Sequence, residues 1–232
     1  MENIRVIIPT YNETGNLAAL LQSIFDRNPG VGVTIVDDNS PDGTGALADR
    51  LKEKYGARLA VIHRPEKIGY GPASIHGIVE TLKDRTVTKI VTMDADLSHD
   101  PADIGRLVAA SNDADFVLGS RFLERSQTAG RSLWRNLISR MAAWYSGRML
   151  GVKARDISTG FRCYNRKVLE AMDFENFFSL GYSFLTELSC RALRQGFRSA
   201  EIPITFHDRR HGQSKFKTGM LWEAIWIVAR LR

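Results

Sequence analysis

Short apolar runs recur along the first half of the chain, and amphipathic stretches fill the gaps between them. Arg5–Ile8, Val33–Val36, Leu59–Ile62, Ile90–Met93 and Phe116–Leu118 have the length and the Val and Ile content of strands. Leu17–Phe25, Ala46–Tyr55, Ala73–Leu82 and Ile104–Ala110 repeat apolar residues at helical spacing. One helix between successive strands predicts an α/β fold, a mostly parallel sheet flanked by helices. Such sheets bind ligands beyond the carboxyl ends of their strands. Chemistry is therefore expected in the residues that follow each apolar run.

The second half changes character. Leu133–Leu150 reads as a helix with Trp134, Leu137, Ile138, Met141, Trp144, Tyr145 and Met149 on one stripe, flanked by Arg135, Arg140 and Arg148. Met220–Leu231 carries Trp222, Ile225, Trp226, Ile227 and Val228 between basic ends. A bilayer span needs about 20 apolar residues, so this last segment is too short to cross. Tryptophan beside Lys and Arg suits the lipid–water interface, and both segments read as amphipathic interfacial helices. Packing on the protein core is the competing reading for each.

Of the 232 residues, 44% are hydrophobic and 25% charged, enough for a sizeable core without staples. Cys163 and Cys190 lie far from any Cys/His cluster, which argues against a disulfide framework or zinc knuckle and makes a reducing cytoplasm the default. The N-terminus reaches a polar turn within ten residues, unlike a signal peptide. Net charge is +6, unevenly distributed. Residues 1–120 hold 12 Lys+Arg and 17 Asp+Glu (net −5), and residues 121–232 hold 20 and 9 (net +11). That split predicts an acidic half that handles cations and a basic half that handles anions.

The strand ends are unusually polar. Pro9-Thr10-Tyr11-Asn12-Glu13 follows the first run, Asp37-Asp38-Asn39-Ser40-Pro41-Asp42-Gly43 the second, Asp94-Ala95-Asp96-Leu97-Ser98-His99 the fourth and Gly119-Ser120-Arg121 the fifth. Asp94 and Asp96, two apart at a strand end, project to one side. Two hard carboxylates beside a nucleotide diphosphate would hold Mg2+ or Mn2+, which neutralises charge on a departing diphosphate. A Ca2+ loop is excluded, since its sixth and twelfth positions would be His99 and Gly105. Gly69-Tyr70-Gly71-Pro72-Ala73-Ser74 begins like a dinucleotide fingerprint, but the third Gly is Ser and the strand before it is the third; no Walker sequence occurs. Arg121, Arg135, Ser139, Arg209 and Lys215 are candidate anion binders, and Arg135 and Ser139 share a helix face four residues apart. Nucleic acid is disfavoured, because interleaved Asp clusters repel its phosphates.

Taken together these motifs resemble the inverting family-2 glycosyltransferases of the GT-A, Rossmann-like fold. Asp156-Ile157-Ser158-Thr159-Gly160-Phe161-Arg162-Cys163-Tyr164, with Asp208-Arg209 and Gly212-Gln213-Ser214-Lys215, is similar to the dolichol-phosphate (polyprenol-phosphate) mannose synthases. The resemblance implies transfer of mannose from GDP-mannose to a polyprenyl or dolichyl phosphate, with UDP-glucose or another family-2 reaction as the alternative. It implies that Pro9, Tyr11, Glu13, Val36 and Asp38 hold the nucleoside. Asp94, Ala95 and Asp96 hold diphosphate and metal, Asp96 being the main ligand; Ser98, where the family often has Gln, is a further candidate ligand. Arg121, Arg209 and Lys215 bind donor phosphates and sugar, Arg135 and Ser139 the acceptor phosphate, and Asp94, Asp96 and Arg121 form the catalytic set. The expected organisation is a catalytic domain over residues 1–215, donor-binding to about 120 and acceptor-side beyond, then an interfacial helix over 216–232. The implied setting is peripheral, on the cytoplasmic face of a membrane, with a small membrane-protein partner in some relatives. A transferase acting on a sugar hydroxyl, and a silent membrane-binding or nucleic-acid-binding module, are the competing functions; the second would keep its anion affinity after Asp96→Ala.

Overall fold

The computed structural model describes residues 3–124, 126–129, 154–207 and Arg230. The expected βα alternation of the first half is present. Strand β1 spans Asn3–Thr10, β2 Val31–Asp37, β3 Leu59–His63, β4 Val87–Thr92 and β5 Phe116–Ser120. Between them lie helices α1 (Thr14–Arg27), α2 (Thr44–Tyr55), α3 (Tyr70–Lys83) and α4 (Ile104–Ala110). The strands run past the apolar cores read from sequence because polar ends such as Thr10 and Asp37 still pair, Thr10 with Asp37 itself.

Four further strands come from the second half. Strand β7 (Arg162–Asn165) runs antiparallel between β4 and β5, and β8 (Ser199–Pro203) adds parallel to the outer side of β5. The sheet order is β3-β2-β1-β4-β7-β5-β8. A separate parallel pair joins β6 (Gln127–Ala129) to β9 (Thr205–His207), and a bridge from His99 to Phe206 ties that pair to the turn after β4. Helices α5 (Arg166–Glu170) and α6 (Ser183–Arg194) follow β7 in the chain.

Alternation along each strand divides the core into two layers. Val6 and Ile8 face the cluster of Leu17, Leu21, Ile24 and Leu107, whereas Ile7 faces Ala73, Ile78, Phe184 and Leu188. Helices therefore cover both faces, and the carboxyl edge is left for the loops. Three non-glycine residues there adopt left-handed backbone: Asn12 (φ 58°), Asn39 (φ 57°) and Leu97 (φ 61°), one past each of β1, β2 and β4. Strain of this kind gathers where loops must turn sharply to aim side chains.

Among the described residues no helix is long and apolar enough to cross a membrane. The Leu133–Leu150 helix, with Arg135 and Ser139, lies outside the described residues. So do Arg209, Lys215 and the Met220–Leu231 segment apart from Arg230, which is helical and stacks its guanidinium over Phe178 at 4.4 Å.

Candidate active site

The turn after β4 is built on its own backbone. Asp96, 7% exposed, accepts the Ser98 amide at 3.1 Å, and left-handed Leu97 makes that turn possible. Ser98 is buried beneath it, and its carbonyl accepts the His207 amide of β9 at 2.9 Å. Buried His99 stacks on Phe161 with ring centres 4.9 Å apart. Its Nδ1 accepts the Asp94 amide at 3.2 Å, so the ring proton sits on Nε2, 4.0 Å from Asp94 Oδ2. Burial lowers the His99 pKa against the pull of Asp94 and Asp96, which keeps the ring neutral at pH 7.

The Asp94 carboxylate is enclosed by shape. A Cβ on Gly160 would lie 2.6 Å from Asp94 Oδ1, so only glycine permits this approach. Thr92 Oγ1 donates to the Gly160 carbonyl at 2.8 Å and fixes the cradle to β4. On another side stands Tyr70 at the start of α3, stacked on Tyr182 at 4.6 Å. Burial, then the Asp94 charge, raises the Tyr70 pKa well above the usual phenol value, so it stays protonated beside the carboxylate.

These two carboxylates suit a hard divalent cation. His99 is committed to the Asp94 amide and to its ring stack. Among the described residues no cluster of three or more His, Cys, Asp or Glu gathers as a complete cage. A cation here would draw its remaining ligands from substrate phosphate and water, the arrangement Mg2+ and Mn2+ favour beside nucleotides.

Arg121 is held by a partner 35 residues away. Its Nε and Nη2 donate to the two oxygens of Asp156, each at 2.7 Å, and its amide donates to Asp156 Oδ2 at 3.0 Å. Nη2 also reaches Ser158 Oγ at 3.0 Å. Burial works against the Arg121 charge, but Asp156 outweighs it and the pKa rises. Asp156 is fully buried, its amide donating to Glu201 Oε1 at 2.8 Å. The guanidinium is therefore fixed beside the Asp94 turn, with the Phe206 ring 5.4 Å away.

The residues expected to hold the nucleoside are brought to one edge. Asp38, 4% exposed, pairs with Arg64 and accepts the amides of Ile68 at 3.3 Å and Gly69 at 2.9 Å. It anchors the loop leading into α3. Val36 is fully buried in register with Pro9, so its backbone is what this edge presents. Lys67 lies 3.5 Å over the Tyr11 ring. Glu13 takes Asn16 Nδ2 on its carboxylate at 2.9 Å and gives its amide to Thr44. Ala95, 4% exposed, spaces the two aspartates.

The sequence profile described as "Glycosyl transferase family 2" matches residues 5–173, most of the chain and all of these strand ends. The chain belongs to glycosyl transferase family 2. It is 42% identical over 226 residues to polyprenol monophosphomannose synthase of Mycolicibacterium smegmatis, covering 97% of this chain and 84% of that protein. With undecaprenyl-phosphate mannosyltransferase of Micrococcus luteus it shares 39% over 227 residues, covering 98% and 93%. Among solved structures it resembles glucosyl-3-phosphoglycerate synthase of Mycobacterium tuberculosis, crystallised with Mn2+, UDP-glucose and phosphoglyceric acid: TM-score 0.75, 16% identity, 99% of this chain and 79% of that one. The mannosyltransferase PcManGT of Pyrobaculum calidifontis, solved with GDP-Man and Mn2+, aligns at TM-score 0.61 and 18% identity over 91% of this chain and 58% of that one. The fold of this glycosyltransferase is thus the GT-A type.

Sequence reasoning missed several groups in this family-2 site. Asp156 and Gly160 lie within the Asp156–Tyr164 motif, but nothing local says that one clamps Arg121 and the other backs Asp94. Tyr70 lies in the Gly69–Ser74 run, whose glycines suggest a dinucleotide fingerprint and give no sign of a phenol beside Asp94.

Proposed function

We propose that this glycosyltransferase moves mannose from GDP-mannose to a polyprenyl phosphate, with inversion at the anomeric carbon. One observation carries the reading: Asp94 and Asp96 stand in one turn at the carboxyl edge of a chain 42% identical, over 97% of its length, to a polyprenol monophosphomannose synthase. The organisation that goes with it is a catalytic unit over residues 1–215 and an interfacial helix over 216–232, at the cytoplasmic face of a membrane, with room for a small membrane-protein partner.

The acceptor phosphate is already anionic at neutral pH, so the reaction needs no strong general base. One of its oxygens attacks the anomeric carbon; the bond from that carbon to the donor diphosphate breaks, and the electron pair leaves with the diphosphate. A divalent cation held by Asp94 and Asp96 supplies charge neutralisation on the leaving group when bound. The chain itself contributes placement. His99 and Gly160 hold Asp94, and Asp156 holds Arg121 flat against the same side. Pro9, Tyr11, Glu13, Val36 and Asp38 line the nucleoside edge, Arg209 and Lys215 meet donor phosphate and sugar, and Arg135 and Ser139 take the lipid phosphate.

The test is incubation with labelled GDP-mannose or UDP-glucose, with and without polyprenyl phosphate and Mn2+, followed by lipid extraction. Label should enter the lipid phase from GDP-mannose only when both polyprenyl phosphate and Mn2+ are present, and NMR should show a β-linkage. Transfer from UDP-glucose alone would replace the donor assignment, and an α-linked product would overturn inversion.

A further inference from the structure

Arg162 is the largest fully buried side chain of the described residues, and no carboxylate among them pairs with it. Its donors go to neutral oxygens. Nε donates to the Thr159 carbonyl at 2.6 Å, and Nη2 donates to the Ile157 carbonyl. Nη1 reaches the Leu185 carbonyl at 2.7 Å, Ser189 Oγ at 2.8 Å and Tyr164 Oη at 3.1 Å. A buried cation without a counter-ion is a costly way to fill a core. What this one does is grip the 156–160 loop from beneath, by the carbonyls of its second and fourth residues, and fasten it to α6.

The other side of the same loop meets the site. Asp156 clamps Arg121, and Ser158 adds a contact at 3.0 Å. Gly160 sits where an added Cβ would strike Asp94 Oδ1 at 2.6 Å. Five consecutive residues thus touch Arg121 at one end and Asp94 at the other, and the guanidinium of Arg162 fixes their inner carbonyls. We infer that Arg162 is a positioning residue: through the 156–160 loop it sets the spacing between the Arg121 guanidinium and the Asp94 carboxylate, and so tunes donor diphosphate and cation binding without touching either. The planar fork is the reason for arginine here, since lysine offers one ammonium where carbonyls must be met in two directions.

The inference rests on Arg121 and Asp94 serving the donor, as proposed above. Its test is Arg162→Lys in the full chain, with apparent KM values for GDP-mannose, Mn2+ and polyprenyl phosphate, beside thermal unfolding. Donor and Mn2+ KM should rise about tenfold while the polyprenyl phosphate KM stays within twofold. Loss of folded protein alone would lower kcat and leave all three KM values unchanged, and that result overturns the inference; so does an equal rise in all three. Asp156→Asn combined with Arg162→Lys should lose less than the product of the single losses, because both act through one loop. Should Arg162→Lys fail to fold, Ser189→Ala removes one acceptor and should raise donor KM about threefold, again sparing the lipid; unchanged donor KM there counts against the role. If the unaltered chain does not turn over GDP-mannose, the donor assignment fails separately. The same KM comparison is then made with the nucleotide sugar it does use.

Discussion

The ends of β2 and β4 look alike in sequence and behave differently in the fold. Both follow a buried strand with closely spaced aspartates. Past β2 every carboxylate is tied by donors from its own chain: Asp37 by Ser40 and Thr10, Asp38 by Arg64, Ile68 and Gly69, Asp42 by Thr14 and Thr44. Past β4 Asp96 takes the Ser98 amide, and Asp94 is ringed by a glycine where no Cβ fits, a protonated phenol and a stacked imidazole. The first set ties its loops together through many donors, while the second is shaped by its neighbours around a single turn. Residue type does not distinguish the two; their surroundings do.

That contrast can be broken from either side. Asp96→Ala should have the largest effect, a fall in transfer of about a thousandfold, equivalent to about 4 kcal/mol of barrier, with the unfolding midpoint nearly unchanged. Retention of half the activity would place the ion elsewhere. Asp38→Ala should add a cost in stability to any loss of nucleoside binding, lowering denaturant stability by about 3 kcal/mol, because Arg64 is left charged in a site where its side chain is 8% exposed. Gly160→Ala should cut kcat about a hundredfold through a shift of Asp94, of order the cost of a 1 Å misplacement, with normal far-UV circular dichroism.

The smallest effect belongs to Asp42. Burial pushes its pKa up, but the Thr14 and Thr44 donors outweigh that and pull it below the ordinary 3.8. A carboxylate with a depressed folded pKa adds stability above its unfolded pKa and loses it as pH falls through the folded value. Asp42→Ala should therefore be about 1 kcal/mol less stable at neutral pH, the usual worth of a capping group. Urea titrations should show that gap closing as pH drops through and below 3.8.

Much of the first half was legible because periodicity and position agree there. Ile104–Ala110 has the boundaries its periodicity predicts; the other helices and strands start or end a few residues beyond their apolar cores, except that β4 stops at Thr92, one residue short of Met93. The location of Asp94 and Asp96 followed from the strand-end rule alone. Strand β7 was not legible as a strand: Arg162-Cys163-Tyr164-Asn165 has no apolar alternation, and a fully buried arginine reads as surface. The partners that fix the site were hidden for a similar reason. Asp156 meets Arg121 across 35 residues, and Gly160 meets Asp94 from just before the neighbouring strand β7, separations over which local pattern carries no information.

The antiparallel insertion of β7 also bears on how the molecule comes into being on the ribosome. Strands β4 and β5 are never hydrogen-bonded to one another; each pairs with β7, and β5 also with β8. A nascent chain that has emerged only through β5 therefore carries unpaired strand edges in the middle of its future sheet, the kind of surface that invites aggregation. Completion of the Asp94–Asp96 turn must wait for residues translated long after it, and truncations that stop before β7 should be insoluble even though they retain Asp94 and Asp96.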